Sequence, residues 1–269
     1  MMSSKILITL AILTTFILCV ESYPVFSRAL WADFLRTYGY MDSKQDSAEA
    51  LKRFQEFSGL QITGLLDKDT ADRMSIPRCG VEDTLTLDRY KLIGSRWQKN
   101  DLTYRILSYP TNGLSRSFVD AETRKAFNMW QDVSGLTIRQ QSFGSVDIEI
   151  RFVRGHHGSQ CNPLNEGVMA HAYGPGRGIG GDAHFNDGKD WSVTPFIGVQ
   201  VLNTLTHEFG HSLGLSHSRV PGSIMAPAYP GWDPNLRLVS DDIQGIQNLY
   251  GKPGLWKEAN TTSSAEGEN

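Results

Sequence analysis

The 269-residue sequence is poor in cysteine, in net charge and in long apolar runs, and each shortage excludes something. Its three cysteines, Cys19, Cys79 and Cys161, cannot all pair with one another, which argues against a disulfide framework and directs attention to a metal or a reactive thiol. Its 26 basic and 29 acidic residues leave a formal charge of −3, so there is no electrostatic case for a nucleic-acid partner. The one long apolar run, Ile6 to Val20, falls short of the roughly 20 residues a helix needs to cross a bilayer. Preceded by Lys5 and followed by the small residue Ser22, it reads as a cleaved signal peptide, with an uncleaved anchor as the alternative. No later stretch is apolar and long enough to span a membrane, so the expected mature chain is soluble, extracytoplasmic and without Cys19. What the chain does have is a 40% apolar composition, able to bury a core, and seven histidines that all fall between His156 and His217.

Four segments are expected: 1–22 the signal, 23–89 a small helical unit, 90–251 a mixed body and 252–269 a polar tail. In the second segment Ala29, Leu30, Phe34, Leu35 and Tyr38 recur at helical spacing. Ala48, Leu51, Phe54, Phe57 and Leu60 do so again, and Asp67 to Met74 fits a third short helix. A core this small is marginal alone and is expected to lean on the larger body that succeeds it in the chain. The body reads as α+β. Leu102 to Ile106 and Leu136 to Gln140 look extended, and Val146, Ile148, Ile150 and Phe152 alternate with polar residues as in a half-buried strand. Ser117 to Val133, Val199 to Leu213 and Ser240 to Tyr250 read as helices, the last with Ser240 as its N-cap. The tail carries Asn260-Thr261-Thr262, a glycosylation sequon open to a secreted chain.

The chemistry concentrates in His207-Glu208-Phe209-Gly210-His211, continued to His217. Histidines at i and i+4 project from one helical face, so both imidazoles can reach a single tetrahedral zinc. Glu208 stands beside the metal without being a ligand, placed to take a proton as general base. Gly214 can adopt positive φ, letting the helix stop and the chain return His217 as third ligand, with a fourth position open for catalysis. The extended pattern fixes five positions, and its chance occurrence is on the order of 10⁻⁵. Upstream, Cys79 lies in Pro77-Arg78-Cys79-Gly80-Val81-Glu82-Asp83. Alone it reads as a free or disulfide-bonded thiol; beside a zinc site it reads as a soft ligand that can fill the open position.

These motifs, with Ser218, Ser223-Ile224-Met225-Ala226-Pro227, Ala170-His171-Ala172-Tyr173, Gly178 to Phe185 and Asp241-Asp242-Ile243, resemble the matrix metalloproteinases within the metzincin clan. The heptapeptide around Cys79 resembles their cysteine switch. The resemblance runs from about Leu30 to Gly251. It implies a metzincin fold, a twisted mixed sheet with three helices, preceded by a three-helix propeptide domain at 23–89. Nothing after Gly251 is long enough for the hemopexin-like domain of many relatives, so the layout resembles the minimal matrilysin type.

The resemblance also implies roles. His207, His211 and His217 would bind the catalytic zinc, Met225 would floor it, and Cys79 would block it until the propeptide leaves. Ala170 and Ala172 would lie on a strand that pairs with extended substrate. Pro227 and Tyr229 would form the facing wall of the S1′ pocket, and Asn203 would give that pocket a polar end. His157, His171 and His184 match a structural zinc site, but Ser159 replaces its aspartate, leaving Ser159, Cys161 or His156 to complete it. Asp147, Gly178, Gly180 and Asp182 match a calcium site. A second one is expected to be lost, because Asn186 and Lys189 replace its acidic ligands. Between Asp83 and Trp97 no multibasic site occurs, and Tyr90 matches the family's mature N-terminus, whose ammonium would pair with Asp241 or Asp242.

The expected protein is thus a secreted, latent zinc and calcium endopeptidase, a monomer in the extracellular space or matrix. Its partners would be extracellular protein substrates, activating proteases and tissue-inhibitor-type inhibitors, with no nucleic acid. Two other readings are a catalytically dead binding module and a wall-binding hydrolase whose helical unit is similar to peptidoglycan-binding modules.

Overall fold

A computed structural model describes residues 28–42, 46–83, 96–159, 161–195 and 198–254. The signal-like run, Tyr90 and the Asn260 sequon lie outside the described residues. Three helices open the chain: α1 (Arg28–Thr37), α2 (Ser47–Phe57) and α3 (Lys68–Ser75). Asp46 and Asp67 cap the second and third, their carboxylates accepting from the N–H groups of Ala48 and Thr70. The buried stripe of α1 is Trp31, Leu35 and Tyr38, whereas Leu30 is 54% exposed. Leu35 and Tyr38 of the expected stripe are thus buried, and Trp31 takes the place of Leu30. These helices enclose their own cluster, with Tyr40, Phe54, Phe57 and Met74.

The larger unit is built on β1 (Asp101–Ile106), α4 (Arg116–Gln131), β2 (Thr137–Gln140), β3 (Ile148–Val153), β4 (Ala170–Ala172) and β5 (Ala183–Asn186). The short strands β6 (Trp191–Ser192) and β7 (Val199–Gln200) come next, then α5 (Val201–Ser212) and α6 (Ser240–Tyr250). The sheet order is β2-β1-β3-β5-β4, with β4 antiparallel to β5 and the other pairs parallel. Parallel strands are usually covered on both faces, and here α4 and α5 pack together on the sheet. Phe127 of α4 stacks on Phe209 of α5 at 3.8 Å between ring centroids, and Trp130 Nε1 donates to the Thr206 carbonyl. Every residue of α5 is buried. That rigid, dry rod carries His207, Glu208 and His211.

Three helix starts differ from the sequence reading, each for a local reason. Ser115 accepts from Phe118 N–H and begins α4 at Arg116. Val199 and Gln200 are drawn into pairing with Trp191 and Ser192, so α5 starts at Val201. The N-cap of α6 is Val239, not Ser240: Asp242 reaches back to accept from the Val239 N–H, a role a serine at the first helical position does not fill.

Candidate metal centre and cleft

Helix α5 ends where expected. Leu213 is its C-cap, Gly214 takes φ +104°, and the chain turns so that His217 faces the helix. Cys79 Sγ, His207, His211 and His217 then offer ligand atoms that all lie within 4.8 Å of one another, all four residues buried. Sγ stands 3.5 Å from His211 Nε2. That is the spacing of two ligands on a tetrahedral zinc with bonds of about 2.3 Å to sulfur and 2.0–2.1 Å to nitrogen.

Each imidazole is oriented from behind. His207 Nδ1 donates to the Ile224 carbonyl and His211 Nδ1 to the Leu215 carbonyl, both at 2.7 Å, while His217 Nδ1 meets Asp83 Oδ1 at 2.6 Å. A carbonyl can only accept, so the proton sits on Nδ1 and Nε2 is left bare toward the cluster. Among the described residues the Nε2 atoms of His207 and His217 are buried without a hydrogen-bond partner. Burial and the neighbouring imidazole of His217 hold His207 at about 3, so the cluster is neutral. Bare, buried nitrogens aimed at one point beside a thiol are a donor set that suits zinc.

Glu208 is fully buried beside the Cys79 thiol, and among the described residues neither carboxylate oxygen has a nitrogen or oxygen partner. Burial pushes its carboxyl up to about 8. Burial and the nearby Glu208 also push the Cys79 thiol well up, so a thiolate there calls for a cation beside it. Under the histidines lies Met225: a Cβ on Gly210 would run into Met225 Sδ, which explains the glycine within the helix. Asp242 fixes the turn that carries Met225, accepting from Ser223 Oγ and from the N–H groups of Ile224 and Met225.

The segment around Cys79 threads the cleft as an added strand. Arg78 N–H donates to the Gly167 carbonyl and Gly80 N–H to the Ala170 carbonyl on one side. On the other, Cys79 N–H donates to the Pro227 carbonyl, and Tyr229 N–H to the Pro77 carbonyl. The structure thus brings Ala170, Pro227 and Tyr229 together around the cleft, with Ala172 one step along β4 against Ala183. A small pocket beside Glu208 is lined by Asn203, Thr204, Met169 and the 226–229 wall, so Asn203 does border it.

Asp83 closes the heptapeptide around Cys79, and sequence reasoning gives it no role. Its carboxylate accepts from Arg78 Nη2 at 2.7 Å, from the Tyr40 hydroxyl at 2.5 Å, and contacts His217. Burial pushes this carboxyl up, yet Arg78 and His217 hold it well below the usual carboxylate range. The Arg78 guanidinium stacks on Tyr38, 3.7 Å from the ring centre. An arginine and an aspartate flanking an isolated cysteine were the available signal.

A second cluster gathers His157, His171 and His184, with Cys161 beside them. Burial and neighbouring imidazoles hold His171 at about 3 and His184 at about 4. His156 and Ser159 are exposed.

At the expected calcium site Asp147 pairs with Lys99 at 2.7 Å and accepts from Thr103, so a cation there has to displace an ammonium. Asp182, pushed up to about 6 by burial, accepts from Glu149 N–H, and Gly178 and Gly180 belong to the tight loop before it. At the site expected to be lost, the side chains present bond the neighbouring loop. Asn186 Nδ2 donates to the carbonyls of Leu164, Asn165 and Val168, and Lys189 Nζ to that of Glu166.

A buried helix presenting two histidines and a glutamate, a third histidine returned by a glycine turn, and a methionine floor define a zinc-dependent metallopeptidase of α+β build. Comparison with known proteins agrees. The family model described as Matrixin matches residues 96–251, and a peptidoglycan binding domain model matches residues 33–74. Human (Homo sapiens) matrilysin is 42% identical over 230 residues, covering 82% of this chain and 84% of matrilysin. Matrix metalloproteinase-18 of Xenopus laevis is 44% identical over 213 residues, 77% of this chain and 44% of its own. Interstitial collagenase of Bos taurus is 45% identical over 207 residues, 76% of this chain and 43% of its own. The chain belongs to the matrixin family and is a zinc metalloendopeptidase. The family uses zinc and calcium, and its members include secreted proteases made with a propeptide. No helix among the described residues is long and apolar enough to cross a membrane.

Proposed function

We propose that the chain is a secreted zymogen that hydrolyses peptide bonds in extracellular proteins, divided as 1–22 signal, 23–89 propeptide, 90–251 catalytic unit and 252–269 tail. The observation that carries this is Cys79 Sγ within the buried His207, His211 and His217 set, held by backbone hydrogen bonds to both cleft walls. A protein segment that docks like a strand while its thiol takes the open ligand position is latent by construction.

Bound to the three histidines, zinc supplies a Lewis acid for the scissile carbonyl and lowers the pKa of the attacking water. The chain does the rest. The edge beyond β4 and the 227–229 wall hold extended substrate, and the pocket bordered by Asn203 takes the side chain after the scissile bond. Glu208 accepts a proton from the water as its oxygen bonds to the carbonyl carbon. It then gives that proton to the amine as the carbon–nitrogen bond breaks. Asp147, Asp182 and the carbonyls of Gly178 and Gly180 form the calcium set, Lys99 moving aside. After activation, the new ammonium at Tyr90 pairs with Asp241, which among the described residues bonds only the Ser218 hydroxyl through its side chain; Asp242 is already taken up by four donors. Other proteases start the activation, tissue-inhibitor-type proteins close the same cleft, and the enzyme acts as a monomer.

The test is Glu208→Ala. The variant should fold, keep its zinc and lose roughly 10²- to 10⁴-fold in peptide hydrolysis, the usual contribution of a positioned base. Turnover equal to the parent at equal zinc content overturns the assignment.

A further inference from the structure

We propose that Cys161 is a thiolate ligand of a second zinc, completing a three-histidine, one-cysteine site with His157, His171 and His184. This rests on the reading that those histidines hold a metal.

The three imidazole nitrogens are already spaced for one ion. His157 Nε2 lies 3.2 Å from His171 Nε2 and 3.1 Å from His184 Nδ1, and those two lie 3.2 Å apart. Ligands on a tetrahedral zinc with bonds of about 2.0–2.1 Å stand roughly 3.3–3.4 Å from each other. His157 Nδ1 contacts the Gly155 carbonyl at 2.8 Å, so its proton is there and Nε2 faces the cluster bare. Lone pairs this close repel unless a cation lies between them.

The fourth corner is supplied by the loop's closure. Leu164 N–H donates to the Gly155 carbonyl, pairing the two ends of the loop, and Cys161 N–H donates to the Gly158 carbonyl within it. Cys161 is thereby returned over His157. Its Sγ lies 3.8 Å from His184 Nδ1, close to the roughly 3.5–3.6 Å expected between sulfur and nitrogen on one zinc. The backbone has to pass close for this: a Cβ on Gly158 would stand 3.2 Å from Sγ. The ring of Tyr173 packs against His171 and His184 and walls the cluster on another side. The other two candidates are not in the cluster, since His156 and Ser159 point to solvent. Thiolate replaces carboxylate with the same charge, so the ion's charge is balanced as before. Sulfur is the softer donor, however, and tilts the site toward zinc and away from calcium or magnesium.

Cobalt(II) reports the ligand directly, because a thiolate bound to it gives a charge-transfer band in the near ultraviolet. The chain from residue 23 on, carrying Glu208→Ala and Cys79→Ser, neither digests itself nor presents a thiol other than Cys161. Loaded with cobalt, it should bind two ions per chain and show the band. Adding Cys161→Ser should abolish the band and release the second ion on dialysis. Adding Cys161→Asp instead should restore the second ion without the band. Two bound ions with no thiolate band in the Cys161 parent overturn the role of Cys161 and leave the three-histidine site standing. One bound ion in that parent overturns both.

Discussion

Asp83→Asn, which keeps side-chain shape, should loosen the closed arrangement of the Cys79 segment. The carboxylate is buried, and it neutralises the buried Arg78 guanidinium while accepting from Tyr40 and holding His217. Leaving one member of such a pair uncompensated costs about 3–5 kcal/mol. With about 1.4 kcal/mol for each factor of ten, the open fraction of the cleft segment should rise about 10²- to 4 × 10³-fold. Alkylation of Cys79 under native conditions reads that fraction, since the thiol is buried in the closed form and reacts only on opening. The rate should rise by that factor, with a shorter lag before peptide hydrolysis begins. Arg78→Met added to Asp83→Asn should recover part of the loss, because no charge is then stranded. An alkylation rate unchanged in a folded, zinc-loaded Asp83→Asn protein refutes the reasoning.

Two further outcomes come from packing and from the loop before β4. Gly210→Ala gains about 1 kcal/mol of helix propensity but drives a methyl into Met225 Sδ and within 3.0 Å of Trp130. Overpacking of about 1–3 kcal/mol prevails, so thermal unfolding should show a Tm lower by several degrees; an unchanged or raised Tm refutes it. Lys189→Met removes the donor to the Glu166 carbonyl, and hydrogen exchange at residues 164–168 should speed up by about tenfold, the effect of losing roughly 1–1.5 kcal/mol from a half-exposed hydrogen bond. With both zinc sites kept filled, the same amides in the parent should exchange equally with and without added calcium, and a calcium-dependent rate would show an ion holding the loop instead.

The histidines of α5 were legible because their relation is local: four residues is one turn, whatever else the chain does. Strand β3 was legible from alternation, its inward residues Ile148, Ile150 and Phe152 all being buried, and β1 from its extended apolar run. What sequence could not settle was set by partners distant along the chain. The contact from His217 to Asp83 spans 134 residues, and no local pattern announces it. Cys161 could not be chosen over His156 and Ser159, because the Gly155–Leu164 pairing that turns it inward is a tertiary fact. Helix starts slipped where a side-chain cap or a short strand decided the boundary, as at Ser115 and Gln200. On α1 the expected Leu35 and Tyr38 are buried, but Trp31, absent from the sequence reading, joins the core in place of Leu30.

The backbone hydrogen bonds that run from residues 77–80 to both walls of the cleft also describe what activation leaves behind. Strand β4 is the last in its sheet, and residues 78 and 80 are its neighbours on the open side. Once they depart, the enzyme presents an unpaired sheet edge, a surface that favours any extended chain able to complete the ladder. Grip then comes from main-chain groups that every polypeptide possesses, whatever its side chains. On the proposed function, discrimination between sequences falls to the pocket that Asn203 borders.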